Sequence, residues 1–283
     1  MYGAIVRRAL HGFIEDRGPS MGAALAYYTL FSLAPLLLIV IAVVGAVFGG
    51  DAARGQIFAQ ISGLVGASTA SSIEQLIASV DQPAKGWIAS AVGVVLMLIG
   101  ATTVFAELQS SLDQIWRAPA PATSGGVWAL LRSRLLSFGL ILGVGFLLIV
   151  SLVVSAGMAV FNAWWSPWFE AWAVVGMALD GVVNFALLTA LFVMIYKWMP
   201  RVRVAWRDVL VGAACTSLLF MLGRALIGLY IGTSSVASAF GAAGSVVAVM
   251  VWIYYSAQIF LIGAEFTWAY SHILGSSRPP LRT

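Results

Sequence analysis

The stretch from Gly18 to Gly50 contains no Asp, Glu, Lys or Arg. A helix of that length, uncharged and apolar on every side, has no face to offer water. It fits the hydrocarbon core of a bilayer, which takes roughly 20 apolar residues in helical form. Five further stretches are long and apolar enough to be read the same way. Composition agrees: 61% of the residues are hydrophobic and 9% are charged, where soluble domains carry about 25% charged residues. The chain therefore reads as an all-α membrane protein with six transmembrane helices. The spans fall at about Met21–Phe48, Trp87–Ala106, Leu135–Phe161, Trp172–Met199, Val209–Tyr230 and Val246–Tyr270.

Residues 1–19 predict an interfacial amphipathic helix rather than a span. Ile5, Val6, Ala9, Leu10, Phe13 and Ile14 recur at helical spacing, with Arg7, Arg8, His11 and Glu15 on the other side, a pattern that lies in the headgroup boundary. Ser20 is placed to cap the first span, and Pro35 inside it removes one backbone hydrogen bond and predicts a kink. Residues 20–272 form the six-span bundle. Within it, 50–85 is an outer amphipathic loop of two short helices broken near Gly66–Ser71, and 118–126 is a Pro/Ala/Gly linker on the cytoplasmic side. Gly139 and Gly143 in the third span invite close approach of a neighbouring backbone. Residues 273–283 are a cytoplasmic tail.

Orientation follows from the basic residues. Six spans put both ends and the second and fourth loops on one side, with twelve of the fifteen Lys and Arg residues; the opposite side holds Arg54 and Lys85. Both termini are expected in the cytoplasm. The same distribution argues against nucleic acid, because the charges mark membrane boundaries instead of forming a continuous face. Cys215 is the single cysteine, so an internal disulfide is impossible.

Several motifs carry a family resemblance. Ala23-Ala24-Leu25-Ala26-Tyr27-Tyr28-Thr29-Leu30-Phe31-Ser32-Leu33-Ala34-Pro35 resembles the signature of the YihY/virulence factor BrkB family of bacterial inner-membrane proteins. The likeness continues through Thr103–Gln109, Trp206-Arg207-Asp208, Ser234–Ser245, Tyr254–Gln258 and Gly263-Ala264-Glu265-Phe266. It covers about residues 5 to 270, and it implies a multi-pass protein of the bacterial inner (plasma) membrane. Members of the family have been labelled ribonuclease, generally regarded as a misassignment, and transporter or resistance factor. The resemblance brings no catalytic residues with it.

Two charges lie deep in the expected spans, Asp180 and Arg224. Counted from the outer ends of the fourth and fifth spans, they sit roughly 12 and 10 Å in at 1.5 Å per residue. Similar depth on consecutive antiparallel helices permits a direct pair, and Asn184 follows Asp180 by one turn. The pair is either a polar site for an anionic headgroup or substrate, or an ion pair that fixes helix register. Glu107 and Glu265 fall near cytoplasmic span ends. They read as a proton relay or inner gate, or more plainly as boundary carboxylates facing Arg201, Arg203 or solvent. Tyr27, Tyr28, Tyr254 and Tyr255 could line a pathway with hydroxyls, although packing between helices is the commoner use of such aromatics. Gln258 sits at mid-span and is expected to bond a neighbouring helix.

The sequence holds no HExxH, no Cys/His cluster and no glycine-rich phosphate loop followed by Lys, so no metal, cofactor or catalytic residue is assigned. The carboxylates are spread over both membrane faces, which defeats two-metal nuclease chemistry and with it the ribonuclease label. The leading expectation is a transporter or flippase of an amphipathic or anionic molecule, such as a lipid or envelope precursor, and not an enzyme. The alternative is a non-transporting scaffold for envelope assembly or resistance. Membrane lipids, anionic ones among them, are the expected partners, self-association is allowed, and nucleic acid is not a partner.

Overall fold

The computed structural model describes residues 2–65, 70–71, 73–74, 87–119, 172–233 and 244–277, together with 139, 143, 146 and 150. Among these residues every regular element is helical. The helices are α1 (Tyr2–Glu15), α2 (Gly18–Phe48), α3 (Gly50–Val65), α4 (Trp87–Ile115), α5 (Trp172–Trp198), α6 (Trp206–Thr233) and α7 (Gly244–Ile273). Three of them, over Gly181–Trp198, Trp206–Ile227 and Val246–Ile273, are each long and apolar enough to cross a membrane. A fourth is formed by α2 if its two halves, Gly18–Leu33 and Leu36–Ala46, count as one span bent by 48°. The bend falls where Pro35 interrupts the backbone ladder.

Helix α7 is the centre of the packing. It lies against α6, α2, α1 and the end of α4, while α2 packs on α4 and α3, and α5 packs on α6. The α6–α7 crossing is close because each helix offers the other a glycine. A Cβ on Gly212 would fall on Thr267, and one on Gly263 would fall on Thr216. Each threonine hydroxyl is satisfied within its own helix, Thr216 donating to Gly212 O at 2.8 Å and Thr267 to Gly263 O at 2.7 Å. The two Gly-x-x-x-Thr segments thus interlock reciprocally, which is how small residues let membrane helices approach. Tyr196 of α5 closes the same seam: its hydroxyl donates to Phe260 O at 2.8 Å and lies 3.2 Å from Thr216 Oγ1. The outer face of α6 exposes Leu210, Leu218, Leu222 and Leu226, a stripe suited to hydrocarbon rather than water.

Some local expectations change. Helix α2 begins at Gly18, with Arg17 in the left-handed region (φ 57°, ψ 43°) and no side-chain cap, so Ser20 lies inside the helix. The first helix is not merely laid on an interface. Its Ile5 and Ala9 are buried, while Val6, Leu10 and Ile14 stay exposed, so the apolar band divides between α7 and the surroundings. Among the described residues, the Met194 thioether approaches Gly143 and nothing lies within 4 Å of a Cβ placed on Gly139. The remainder of the third span, the tryptophan-rich segment 164–168 and the loop 234–243 lie outside the described residues.

Candidate functional site

One end of the bundle gathers the basic turns. Gln109 of α4 donates to Met199 O at 3.0 Å, and Asp113 accepts the Arg201 backbone N–H at 2.8 Å with its guanidinium Nε 3.3 Å away. Burial pushes the Asp113 carboxyl above its ordinary range, opposed by those two contacts from Arg201. On α6, Asp208 is buried and accepts both the backbone N–H and the hydroxyl of Ser276, tying down the chain after α7.

At this end stands Glu265, on α7 and only 1% exposed. Its place depends on α1. Gly12 presents bare backbone, and the carboxyl occupies the space a side chain would need: a Cβ on Gly12 would lie 2.5 Å from Oε2. The chain then turns in two residues. Asp16 N–H bonds Gly12 O at 2.8 Å, Arg17 adopts its positive φ, and α2 starts. This tight elbow puts the Asp16 carboxyl within hydrogen-bonding reach of Glu265. The end of α4 secures the elbow, since Gln114 Nε2 donates to Asp16 O at 2.9 Å.

Two guanidiniums complete the cluster. Arg8 of α1 lies 5.4 Å, and Arg117 4.9 Å, from the centroid of the Trp268 ring, and both act electrostatically on Glu265. Arg117 ends α4 in a Schellman arrangement, with Arg117 N bonded to Gln114 O and Ala118 N to Asp113 O. Glycine usually fills that left-handed position. An arginine there costs about 1–2 kcal/mol of backbone strain, and its side chain reaches the indole. Arg17 and Arg117 are the two positive-φ residues other than glycine among the described residues, and both border this cluster.

Glu265 Oε1 has no hydrogen-bond partner among the described residues, and neither does Gln258 Nε2. The two residues are two turns apart on nearly the same face of α7, roughly 10 Å along the axis. Gln258 faces Gly22 of α2, where a Cβ would collide with Nε2. A buried polar group left unpaired costs about 1–3 kcal/mol, so two in line on one helix need a reason.

The other candidates are dispersed. Arg224 is half-buried on α6 and Asn184 half-buried on α5, whereas the Asp180 side chain, and with it the anticipated pair, lies outside the described residues. Glu107 is half-buried on α4. Tyr27 and Tyr28 are 52% and 36% exposed, and the Tyr27 ring meets Tyr28 edge-on and Phe31 at a tilt, on an outer face of α2. Gln258 Nε2 makes no hydrogen bond among the described residues. Glu265 is enclosed by α1 and Arg117 rather than facing Arg201, which is engaged by Asp113. Sequence reasoning missed Gly12, Asp16, Arg8 and Arg117 as its neighbours. Arg8 in particular read as part of a solvated face.

Comparison with known proteins agrees with this picture of a helical membrane protein. The family model described as virulence factor BrkB matches residues 9–282. A UPF0761 membrane protein of Pseudomonas aeruginosa (strain LESB58) is 30% identical over 263 residues, covering 90% of this chain and 59% of the relative. One from Rhodospirillum centenum is 29% identical over 269 residues, covering 93% and 56%. One from Tolumonas auensis is 26% identical over 285 residues, covering 97% and 88%. The chain thus spans less than two thirds of the length of the first two relatives. No solved structure matches it. It is a membrane protein, and it belongs to the virulence factor BrkB family.

Proposed function

We propose that the protein is a multi-pass carrier of the bacterial inner membrane that moves an amphipathic or anionic molecule, of the lipid or envelope-precursor class, across the bilayer. In this reading six helices span, both termini and the Glu265 cluster face the cytoplasm, and no covalent chemistry is done on the cargo. The observation that carries it is the pair of unpaired buried groups on α7, Gln258 Nε2 and Glu265 Oε1. A purely structural bundle would bond them internally or replace them with apolar residues. A carrier leaves them for a polar group that is present only part of the time. The packing of the first turns of α2 on Gln258 at Gly22, and the two guanidiniums near Glu265, suit a phosphate or carboxylate headgroup entering from the basic end.

Reconstitution tests this. Vesicles of phosphatidylcholine and phosphatidylglycerol, doped with fluorescent phosphatidylglycerol, should show protein-dependent transbilayer movement. Losing one polar contact to a moving headgroup costs about 1–2 kcal/mol, so Gln258→Leu should slow it about tenfold. Folded protein that moves neither anionic nor zwitterionic probe would overturn the reading and favour a scaffold.

A further inference from the structure

We propose that Asp16 and Glu265 form a proton-binding latch, which holds the α1–α2 elbow against α7 when protonated and frees it when the proton leaves. The inference deepens the carrier reading and rests on it for the purpose of the latch: the proton is the coupling ion.

The geometry points to a proton rather than a metal cation. Two carboxyl groups lie within hydrogen-bonding reach, and such a contact is attractive only when one of them carries a hydrogen to donate. One of the pair, Glu265, is 1% exposed with an oxygen that nothing bonds. Among the described residues no three His, Cys, Asp or Glu side chains come together to hold a metal ion. Among the described residues, the charged groups acting on Glu265 are Arg8 from α1, Asp16 from the elbow and Arg117 beyond α4. Two guanidiniums at the site repel any cation, so what binds there must be bonded to a carboxyl oxygen, as a proton is, rather than held by charge alone as a sodium ion would be. His272 lies about two turns further along α7, its ring tilted against Trp268 and bonded to Trp268 O.

The mechanical consequence follows from the connections. Asp16 lies in the two-residue elbow, so whatever it binds positions the start of α2 as well as α1. Farther along, α2 is bent by 48°. Releasing one end of a bent helix that packs beside Gln258 would open the α2–α7 seam where the unpaired amide lies. The proton adds to one carboxylate on closing and returns to water on opening, with no bond otherwise made or broken.

The test reads helix position and not transport. With Cys215→Ser as background, spin labels at Gly3→Cys on α1 and Leu210→Cys on α6, both exposed, report the α1–α6 distance in proteoliposomes. Between acid and alkaline pH the distance should change by roughly one helical turn, about 5 Å. Glu265→Gln and Asp16→Asn each supply a permanent N–H donor, so either should lock the acid-pH distance at every pH. Sodium added at alkaline pH should not restore it. An unchanging distance in the unmutated pair, a shift that survives both substitutions, or a sodium-driven return would overturn the latch. Transport without the shift removes the latch and leaves the carrier; the shift without transport does the reverse.

Discussion

Gly12→Ala isolates the packing that places Glu265. In an unobstructed helix interior, alanine is favoured over glycine by about 1 kcal/mol. At Gly12 the new methyl would stand 2.5 Å from Glu265 Oε2 and 3.1 Å from Cδ, so the carboxyl must leave its place beside Asp16. Displacing a buried polar group from its partners costs about 1–3 kcal/mol. The net effect is a loss of roughly 0–2 kcal/mol where propensity alone predicts a gain. The sign should reverse when the obstruction is removed: with Glu265→Ala already present, Gly12→Ala should stabilise by about 1 kcal/mol. Reversible unfolding in mixed micelles, followed by helical circular dichroism, measures the four corners of this cycle. Gly3→Ala, on the same helix with nothing within 4 Å of its Cβ, controls for propensity and should be mildly stabilising. If Gly12→Ala stabilises the unmutated protein as much as the Glu265→Ala background, the carboxyl does not sit against Gly12 and the site is misdrawn.

Other substitutions read other contacts in the same assay. Gly212→Ala and Gly263→Ala should each destabilise by about 1–3 kcal/mol through overpacking, and Thr267→Gly should rescue the first but not the second. Tyr196→Phe removes the bond to Phe260 O and should cost about 0.5–1.5 kcal/mol, without altering helix content. Because burial holds the Asp113 carboxyl above its ordinary range, the folded form binds that proton more tightly than the unfolded one. The associated stability is therefore complete below the unfolded value of about 3.9 and is lost as pH rises through the folded value. Asp113→Asn should flatten that part of the stability–pH profile.

The helices were legible in the sequence because apolar runs of this length with so few charges have few alternatives. The expected spans Met21–Phe48, Trp172–Met199 and Val246–Tyr270 differ from α2, α5 and α7 by a few residues at their ends. The elbow was less so: Ser20 is a good capping residue, but Pro19 can occupy the first turn, so the helix starts earlier at Gly18. The docking of α1 could not be read at all, since Ile5 and Val6 are equally apolar and only tertiary contact decides which is buried. Glu265 was visible as a candidate. Its surroundings were not, because Arg8, Gly12, Asp16 and Arg117 come from sequence positions far from it and no local spacing links them. The reciprocal Gly212/Thr216 and Gly263/Thr267 segments were readable in principle from their four-residue spacing. Gly139 and Gly143 show the same spacing, so spacing alone does not say which pair meets another helix.

The central claim is that the polar face of α7 adjoins a path open to water and cargo rather than a sealed seam. Thiol accessibility measures this directly, using Gln258→Cys in a Cys215→Ser background and a membrane-impermeant maleimide applied from the basic end. Cysteine at 258 should react, and preloading with phosphatidylglycerol should slow it. Thr216→Cys, in the interlocked α6–α7 crossing and fully buried, should stay unmodified. A cysteine at 258 as inert as that at 216, in protein shown to be folded, would contradict the account.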